Sequence, residues 1–268
     1  MIIIGEKLNG TIPSVGKAIL ERDEDFVRNL AIKQAEAGAD YIDVCAGTSP
    51  DIEVESLKWM MNLVQEVVDT PLCIDSPNPH VILEVLEYAK RPGLINSVSE
   101  EHGKCEVIFP VMKGTDWNVV ALTCDNNGIP TDVETRINIT KSIVEKAKQY
   151  DIDQSRIFID PLVIAISTDN QSLLKFVEAT KQIKELYPDI HITSGLSNIS
   201  FGMPLRKIIN QNFLTLAMGA GMDSAIMDPL NRDTMATLLA ADMLLGKDRH
   251  CRKFTTAYRK GSIGPIKD

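Results

Sequence analysis

Eight short apolar runs punctuate this chain, at residues 1–4, 41–44, 72–74, 94–95, 119–122, 157–159, 190–193 and 225–227. Between most of them lie longer segments whose apolar residues recur at helical spacing, over 26–37, 53–68, 133–150 and 172–186. Buried strands alternating with amphipathic helices predict a parallel sheet, because parallel neighbours need a crossover connection. Eight such units in 268 residues fit an α/β chain closed into a (β/α)8 barrel, with residues 1–268 as one domain. An open, doubly wound sheet is the alternative. No Gly-x-Gly-x-x-Gly follows any run and no Gly-Lys-Ser/Thr loop occurs, which disfavours dinucleotide and nucleotide folds.

The runs end in polar residues, and the ends are of one kind. Residues 1–4 lead into Gly5-Glu6-Lys7-Leu8-Asn9, 72–74 into Asp75-Ser76, 94–95 into Asn96-Ser97, and 157–159 into Asp160-Pro161-Leu162. The run at 190–193 leads into Gly195-Leu196-Ser197-Asn198-Ile199-Ser200-Phe201-Gly202. In a barrel, polar residues at the carboxyl ends of strands converge on one mouth. Glu6, Asp75, Asn96, Asp160 and Asn198 would then surround a single pocket although they are far apart in sequence. The 195–202 loop is rich in small residues, so a flat polar ligand can approach its backbone closely. Asn198 offers both a donor and an acceptor there, and Phe201 could cover an aromatic face. Taken alone, the same loop reads equally well as a plain turn between strand and helix.

Composition narrows the function. A formal charge of −9 and a pI near 5.0 argue against general nucleic-acid binding, and no stretch approaches membrane-spanning length. The apolar start is too short for a secretory signal and lacks a basic leader, so a cytoplasmic location is the default. Five cysteines without a Cys-x-x-Cys pair and four histidines without ligand spacing give no reason to expect an intrinsic metal or a disulfide framework. Cys45 and Cys73, in or beside apolar runs, read as buried thiols. Residues 125–130 read as a surface loop. The segment 249–268 is basic and reads as a solvated tail along the barrel, with a partner-binding arm as the alternative.

With these strand ends in order, the chain resembles the pterin-binding methyltransferases that act with corrinoid proteins. That group includes the methyltetrahydrofolate:corrinoid/iron-sulfur protein methyltransferase and the folate module of cobalamin-dependent methionine synthase. It is more distantly similar to dihydropteroate synthase. The resemblance spans essentially the whole chain and rests on Gly5-Glu6-Lys7-Leu8-Asn9-Gly10, Asp75-Ser76, Ile95-Asn96-Ser97, Ile159-Asp160-Pro161-Leu162, the 195–202 loop, and Ile226-Met227-Asp228-Pro229. Each motif is weak alone; their order and spacing are specific. The resemblance implies a pterin-binding TIM barrel that moves a methyl group between N5 of tetrahydrofolate and the cobalt of a corrinoid on a separate protein. It further implies a place in one-carbon metabolism, either in acetyl-CoA formation or in demethylation of methylated amines or ethers. Tetrahydrofolate or 5-methyltetrahydrofolate is then substrate. The corrinoid (cobalamin) is presented by a corrinoid/iron-sulfur protein or a small cobalamin-binding methyl carrier, since the chain has no Asp-x-His-x-x-Gly motif.

By position, the resemblance assigns Asp75, Asn96 and Asp160 to the pterin ring and Asn198 to the neighbourhood of N5, as the catalytic residue. Gly195 and Ser197 belong to the same loop, Ile226 to an apolar pterin contact, and Glu6 to the substrate site. Phe201 follows the methionine synthase pattern where enzymes serving the corrinoid/iron-sulfur protein can have glutamine, which leaves the corrinoid partner open. The chemistry is consistent. A carboxylate such as Asp160 accepts two adjacent N–H groups of an amino-pyrimidinone edge, and such charge-assisted bonds are strong. The alternative for Asp160 and Asp75 is a turn role, and for Glu6 and Asn9 a brace between loops. Asn198 holds no titrating proton, so its role is to stabilise charge developing at N5. A homodimer is implied as well, with Trp59-Met60-Met61 as a candidate apolar outer face. Two competing functions remain in view. A dihydropteroate synthase-like enzyme is disfavoured because no lysine follows Asp160 in Asp160-Pro161-Leu162-Val163-Ile164-Ala165-Ile166-Ser167. A non-catalytic folate-binding protein is disfavoured because storage needs no group at N5.

Overall fold

The computed structural model describes residues 1–265. Eight strands occupy the eight apolar runs: Ile2–Asn9 (β1), Tyr41–Cys45 (β2), Leu72–Asp75 (β3), Leu94–Glu100 (β4), Asn118–Asp125 (β5), Ile157–Asp160 (β6), His191–Ile192 (β7) and Ser224–Met227 (β8). They form one sheet in the order β7-β6-β5-β4-β3-β2-β1-β8, with every ladder parallel. The circle closes just past the short β7. There the Leu196 N–H donates to the Ile226 carbonyl at 3.0 Å, and the Ile226 N–H to Ser194 at 2.9 Å. The fold is therefore the expected (β/α)8 barrel.

Among the described residues ten α-helices surround the strands: Pro13–Glu21 (α1), Glu24–Glu36 (α2), Pro50–Val67 (α3), Pro79–Val85 (α4), Lys104–Met112 (α5), Val133–Gln149 (α6), Ser172–Leu186 (α7), Arg206–Ala220 (α8), Arg232–Leu244 (α9) and Arg252–Arg259 (α10). Their starts follow from local chemistry. Asp23, Asp132 and Asn231 accept the backbone N–H groups of Phe26, Thr135 and Thr234, and α1, α3 and α4 open on proline. Neighbours round the ring pack together, α2 on α3, α6 on α7, α7 on α8 and α8 on α9.

Strand alternation sorts the side chains. Ile42, Val44, Ile74, Ile95, Val119 and Ile159 face the helices in the main core. Ile4, Cys73, Leu94, Val120 and Phe158 fill the barrel interior as a separate cluster, with Ile2, Tyr41, Leu122 and Ile226 packed on it. This apolar plug is the floor on which the next layer rests.

One expectation gains detail and one changes. The basic terminal segment lies along the barrel, mostly exposed, and contains a helix. That helix, α10, packs on α9, while residues 266–268 lie outside the described residues. Trp59-Met60-Met61 is not an exposed outer face. Met60 and Met61 are fully buried, and Trp59 lies under the Arg22 guanidinium at 4.9 Å, so this trio offers nothing to a second subunit. No helix among the described residues is long and apolar enough to cross a membrane.

Candidate active site

Two residues further along each strand, the interior changes from apolar to polar. Ile4 is followed by Glu6, Cys73 by Asp75, Leu94 by Asn96 and Phe158 by Asp160. Strand register makes this a layer. Asp75 sits opposite Asn96 on one side and Cys45 on the other, and Asp160 opposite Leu122. A β-bulge in β1 between Gly5 and Leu8 gives Glu6 and Lys7 their own directions. Lys7 pairs with Asp228 at 3.3 Å, joining β1 to the end of β8.

The carboxyl groups in this layer are costly to ionise. Burial is the main cause for all of them. Asp160 is almost fully buried and is pushed up to about 7; the N–H groups of Leu162 and Gly195 and the Arg136 guanidinium oppose the shift. Burial, reinforced by Asp228, raises Glu6 to about 7. Asp75 rises to about 6, through burial with a further push from Glu53. One layer down, Asp43 is buried between them and raised well above the usual range by burial and by the neighbouring Asp75 charge. Its Oδ1 has no hydrogen-bond partner among the described residues.

Asp160 has two roles. Its Oδ1 accepts the Leu162 N–H at 2.8 Å, so the turn reading is correct for one oxygen. The Gly195 N–H is a further donor to the same carboxyl, tying β6 to the loop after β7. The loop after β7 stands over this layer. Its first turn is closed by the Asn198 N–H donating to Gly195 at 3.1 Å. The Asn198 side chain then folds across Gly195, where an added Cβ would lie 2.8 Å from Nδ2. Gly195 thus leaves room for the asparagine amide, and Asn198 is exposed. Arg206 braces the loop from below by donating to the Ser197 carbonyl at 2.9 Å and to Ser200 Oγ at 3.0 Å. Ser197 and Glu6 line a cleft of about 330 Å3 together with Arg206, Lys207 and Asp228.

The sequence-identified strand-end residues are linked in two groups. Asp75, Asn96 and Glu6 connect through Asp43, Asp160 connects through Gly195 to Asn198, and the Ile226 backbone pairs with that loop. Phe201 is the outlier: its ring is 71% exposed at the rim. Sequence reading missed Asp43, although an acid inside an apolar strand, Ile42-Asp43-Val44, is itself a signal. It also missed Glu53, which accepts a 2.6 Å hydrogen bond from Ser76 and fixes the turn after Asp75. The third omission is Arg136, fully buried, whose Nε and Nη2 donate to Pro130 while Nη1 is unpartnered. Nothing in the spacing of α6 marks that arginine. Among the described residues no group of three or more His, Cys, Asp or Glu side chains could hold a metal ion.

As a chemical surface, this layer offers carboxylate and amide acceptors, the exposed asparagine amide of the loop after β7, and an apolar side chain, Ile226. A flat heterocycle with several N–H groups on one edge fits that donor and acceptor set.

Comparison with known proteins agrees. The pterin binding enzyme family matches residues 5–228. The chain is 60% identical over 268 residues to a methylcorrinoid:tetrahydrofolate methyltransferase of Eubacterium limosum, covering 99% of both chains. It is 28% identical to a methionine synthase of Mycobacterium leprae, over 87% of this chain and 21% of that protein. Among solved structures, a dihydropteroate synthase from Xanthomonas albilineans in complex with 7,8-dihydropteroate superposes with a TM-score of 0.66 over 92% of both chains, at 18% identity.

Proposed function

Because the chain belongs to the pterin-binding enzyme family, we propose that it is a methyltransferase acting between a corrinoid held on a separate protein and N5 of tetrahydrofolate. The near-full-length 60% identity with a methylcorrinoid:tetrahydrofolate methyltransferase carries this reading, and the donor in that name favours transfer onto the folate. The mouth supports it. Asp160, Asn96 and Asp75 are placed to accept and donate along the amino-pyrimidinone edge. Ile226 flanks the ring, and Asn198 stands where N5 would emerge toward solvent and partner.

In this direction the N5 lone pair forms the new C–N bond as the carbon–cobalt bond breaks. The electron pair of that bond stays on cobalt, and N5 releases its proton. The corrinoid supplies a labile methyl group and a stable place for those electrons. The chain's own residues fix the ring, exclude water from its edge and place the Asn198 amide oxygen where it accepts from the positively charged N5–H. That interaction strengthens as charge develops, which is the condition for catalysis rather than binding alone. Gly195 and Ser197 shape the loop that presents the amide, and Glu6 lines the same mouth beside Asp228.

We take the physiological partner to be a small corrinoid protein docking over the mouth, and the enzyme to be a cytoplasmic homodimer. Exposed Ile208 and Leu216 on α8, with Leu205 just before it, support the dimer where Trp59-Met60-Met61 does not serve. The reading is tested by mixing the purified protein with methylcobalamin and tetrahydrofolate under reducing, anaerobic conditions. The expected result is 5-methyltetrahydrofolate formation matched by loss of the methylcobalamin spectrum. Thermal stabilisation by pterin pyrophosphate but not by tetrahydrofolate would instead favour a synthase.

A further inference from the structure

A second cavity, about 670 Å3, lies on the outside of the barrel where α10 covers the seam between α9 and the end of α2. Its wall is apolar at Leu230 and basic at Arg232, Arg252, Lys253 and Lys260; Glu36 is the one carboxylate that lines it. Helical spacing puts Arg252, Lys253 and Lys260 along the same side of α10. Arg232 holds the arrangement in place by donating to the carbonyls of Gly261 and Gly264 at 2.6 and 2.9 Å, which ties the chain after α10 back to α9.

This cavity is continuous with the mouth. A hollow of about 430 Å3 lies between them. It shares Lys207, Asp228 and Asn231 with the mouth cleft, and Leu230 and Arg232 with the outer cavity. A depression therefore runs from Ser197 and Arg206, past Lys207 and Arg232, to α10. The acids along its inner part are already engaged, Asp228 with Lys7 and Asp233 with Lys207. At its outer end Arg252, Lys253 and Lys260 form no ion pair among the described residues. In a protein of net charge −9, this is a local trough of positive potential leading away from the active site.

We propose that the depression is a binding track for the glutamyl end of the folate substrate, taking an oligo-γ-glutamyl tail whose carboxylates reach Arg252, Lys253 and Lys260. This rests on the reading of the mouth as the pterin site. With the pterin held on the barrel floor, the benzoyl-glutamate portion has to leave through the mouth. The β8 side offers it a continuous groove with cations at the far end. Each exposed carboxylate–cation contact is weak by itself. Anchoring of the pterin makes those contacts intramolecular, so several weak ones add to a measurable preference.

The test compares tetrahydrofolate monoglutamate with its pentaglutamate by fluorescence titration, on the full chain and on the triple variant Arg252→Gln, Lys253→Gln, Lys260→Gln. The expected result is about tenfold tighter binding of the pentaglutamate by the wild type, from three exposed contacts. High salt should erase that preference. The triple variant should bind both forms as the wild type binds the monoglutamate. Lys260→Glu alone, at the end of α10, should reduce the same ratio and guards against misfolding of the triple variant. Equal affinity for the two folates on the wild type overturns the track and leaves the mouth reading standing. A preference that survives all these substitutions overturns it too. Binding of neither folate overturns the mouth reading and the track together.

Discussion

Asp160 closes a turn, and its proposed second role as a pterin ligand is measurable. In the ligand-free protein burial keeps it protonated up to about pH 7, with Glu6 up to about 7 and Asp75 up to about 6. All three are raised above their ordinary values of 3.8 to 4.5. Their contribution to stability is therefore full below those ordinary values and is lost as pH rises through about 6 to 7. A pterin edge reverses the balance at Asp160, because its N–H groups favour the ionised carboxylate. Folate binding at pH 6 is expected to release protons. Calorimetry in two buffers of different ionisation enthalpy should show different apparent heats, and Asp160→Asn should remove much of that difference. The same substitution should weaken folate binding by about 1.5–3 kcal/mol, the usual cost of losing a charged hydrogen-bond partner. Buffer-independent heats and unchanged affinity would leave Asp160 a turn residue only. Asp160, Asp75, Asn96 and Glu6 were all legible in the sequence because each ends an apolar run. Asp43 was not, because it lies inside one, and Arg136 was not, because only the fold brings a helix interior beneath a strand end.

At the level of elements, the short β7 and the loop after it position the Asn198 amide, which we propose acts at N5. A strand of two residues hands its ladder over to loop backbone, with Leu196 and Ser194 completing the pairing to β8. Asn198 is therefore attached to a rigid seam and not to a free loop. Gly195 is the one position where a side chain would collide with it. Gly195→Ala is expected to displace the Asn198 amide and slow methyl transfer by about tenfold or more, since small misplacements of a reacting group are costly. Folate affinity should change less than the rate. Parallel single-turnover and titration measurements check this; a variant with wild-type rate would show that the amide position is not set by Gly195. The sequence marked this loop by its small residues but not why Gly195 must be glycine, which depends on the asparagine rotamer. Apolar content alone also misled: Trp59-Met60-Met61 looked like a surface, yet 60 and 61 point into the α3 core and 59 is covered by Arg22.

For the whole molecule, eight alternating units favoured the barrel over an open, doubly wound sheet, and the ladder order bears this out. The ends were harder to read. Composition described 249–268 as basic, whereas packing against α9 makes part of it a helix that walls a cavity. The proposed homodimer belongs to this scale. Light scattering at micromolar concentration should give twice the 29.6 kDa chain mass, and Ile208→Glu with Leu216→Glu should shift it toward the monomer, because both side chains are exposed on α8. A monomeric wild type would remove the dimer from the account without touching the mouth. The central claim is that the mouth transfers methyl groups at N5 and that Asn198 acts on the transition state. Single-turnover transfer from methylcobalamin to tetrahydrofolate, measured beside equilibrium folate binding for wild type and Asn198→Ala, tests it most directly. The account predicts a rate loss of about 10²–10³ with a much smaller loss of affinity, because Asp75, Asn96 and Asp160 still hold the ring. A rate loss no larger than the loss of binding, or no transfer by the wild type at all, would contradict it.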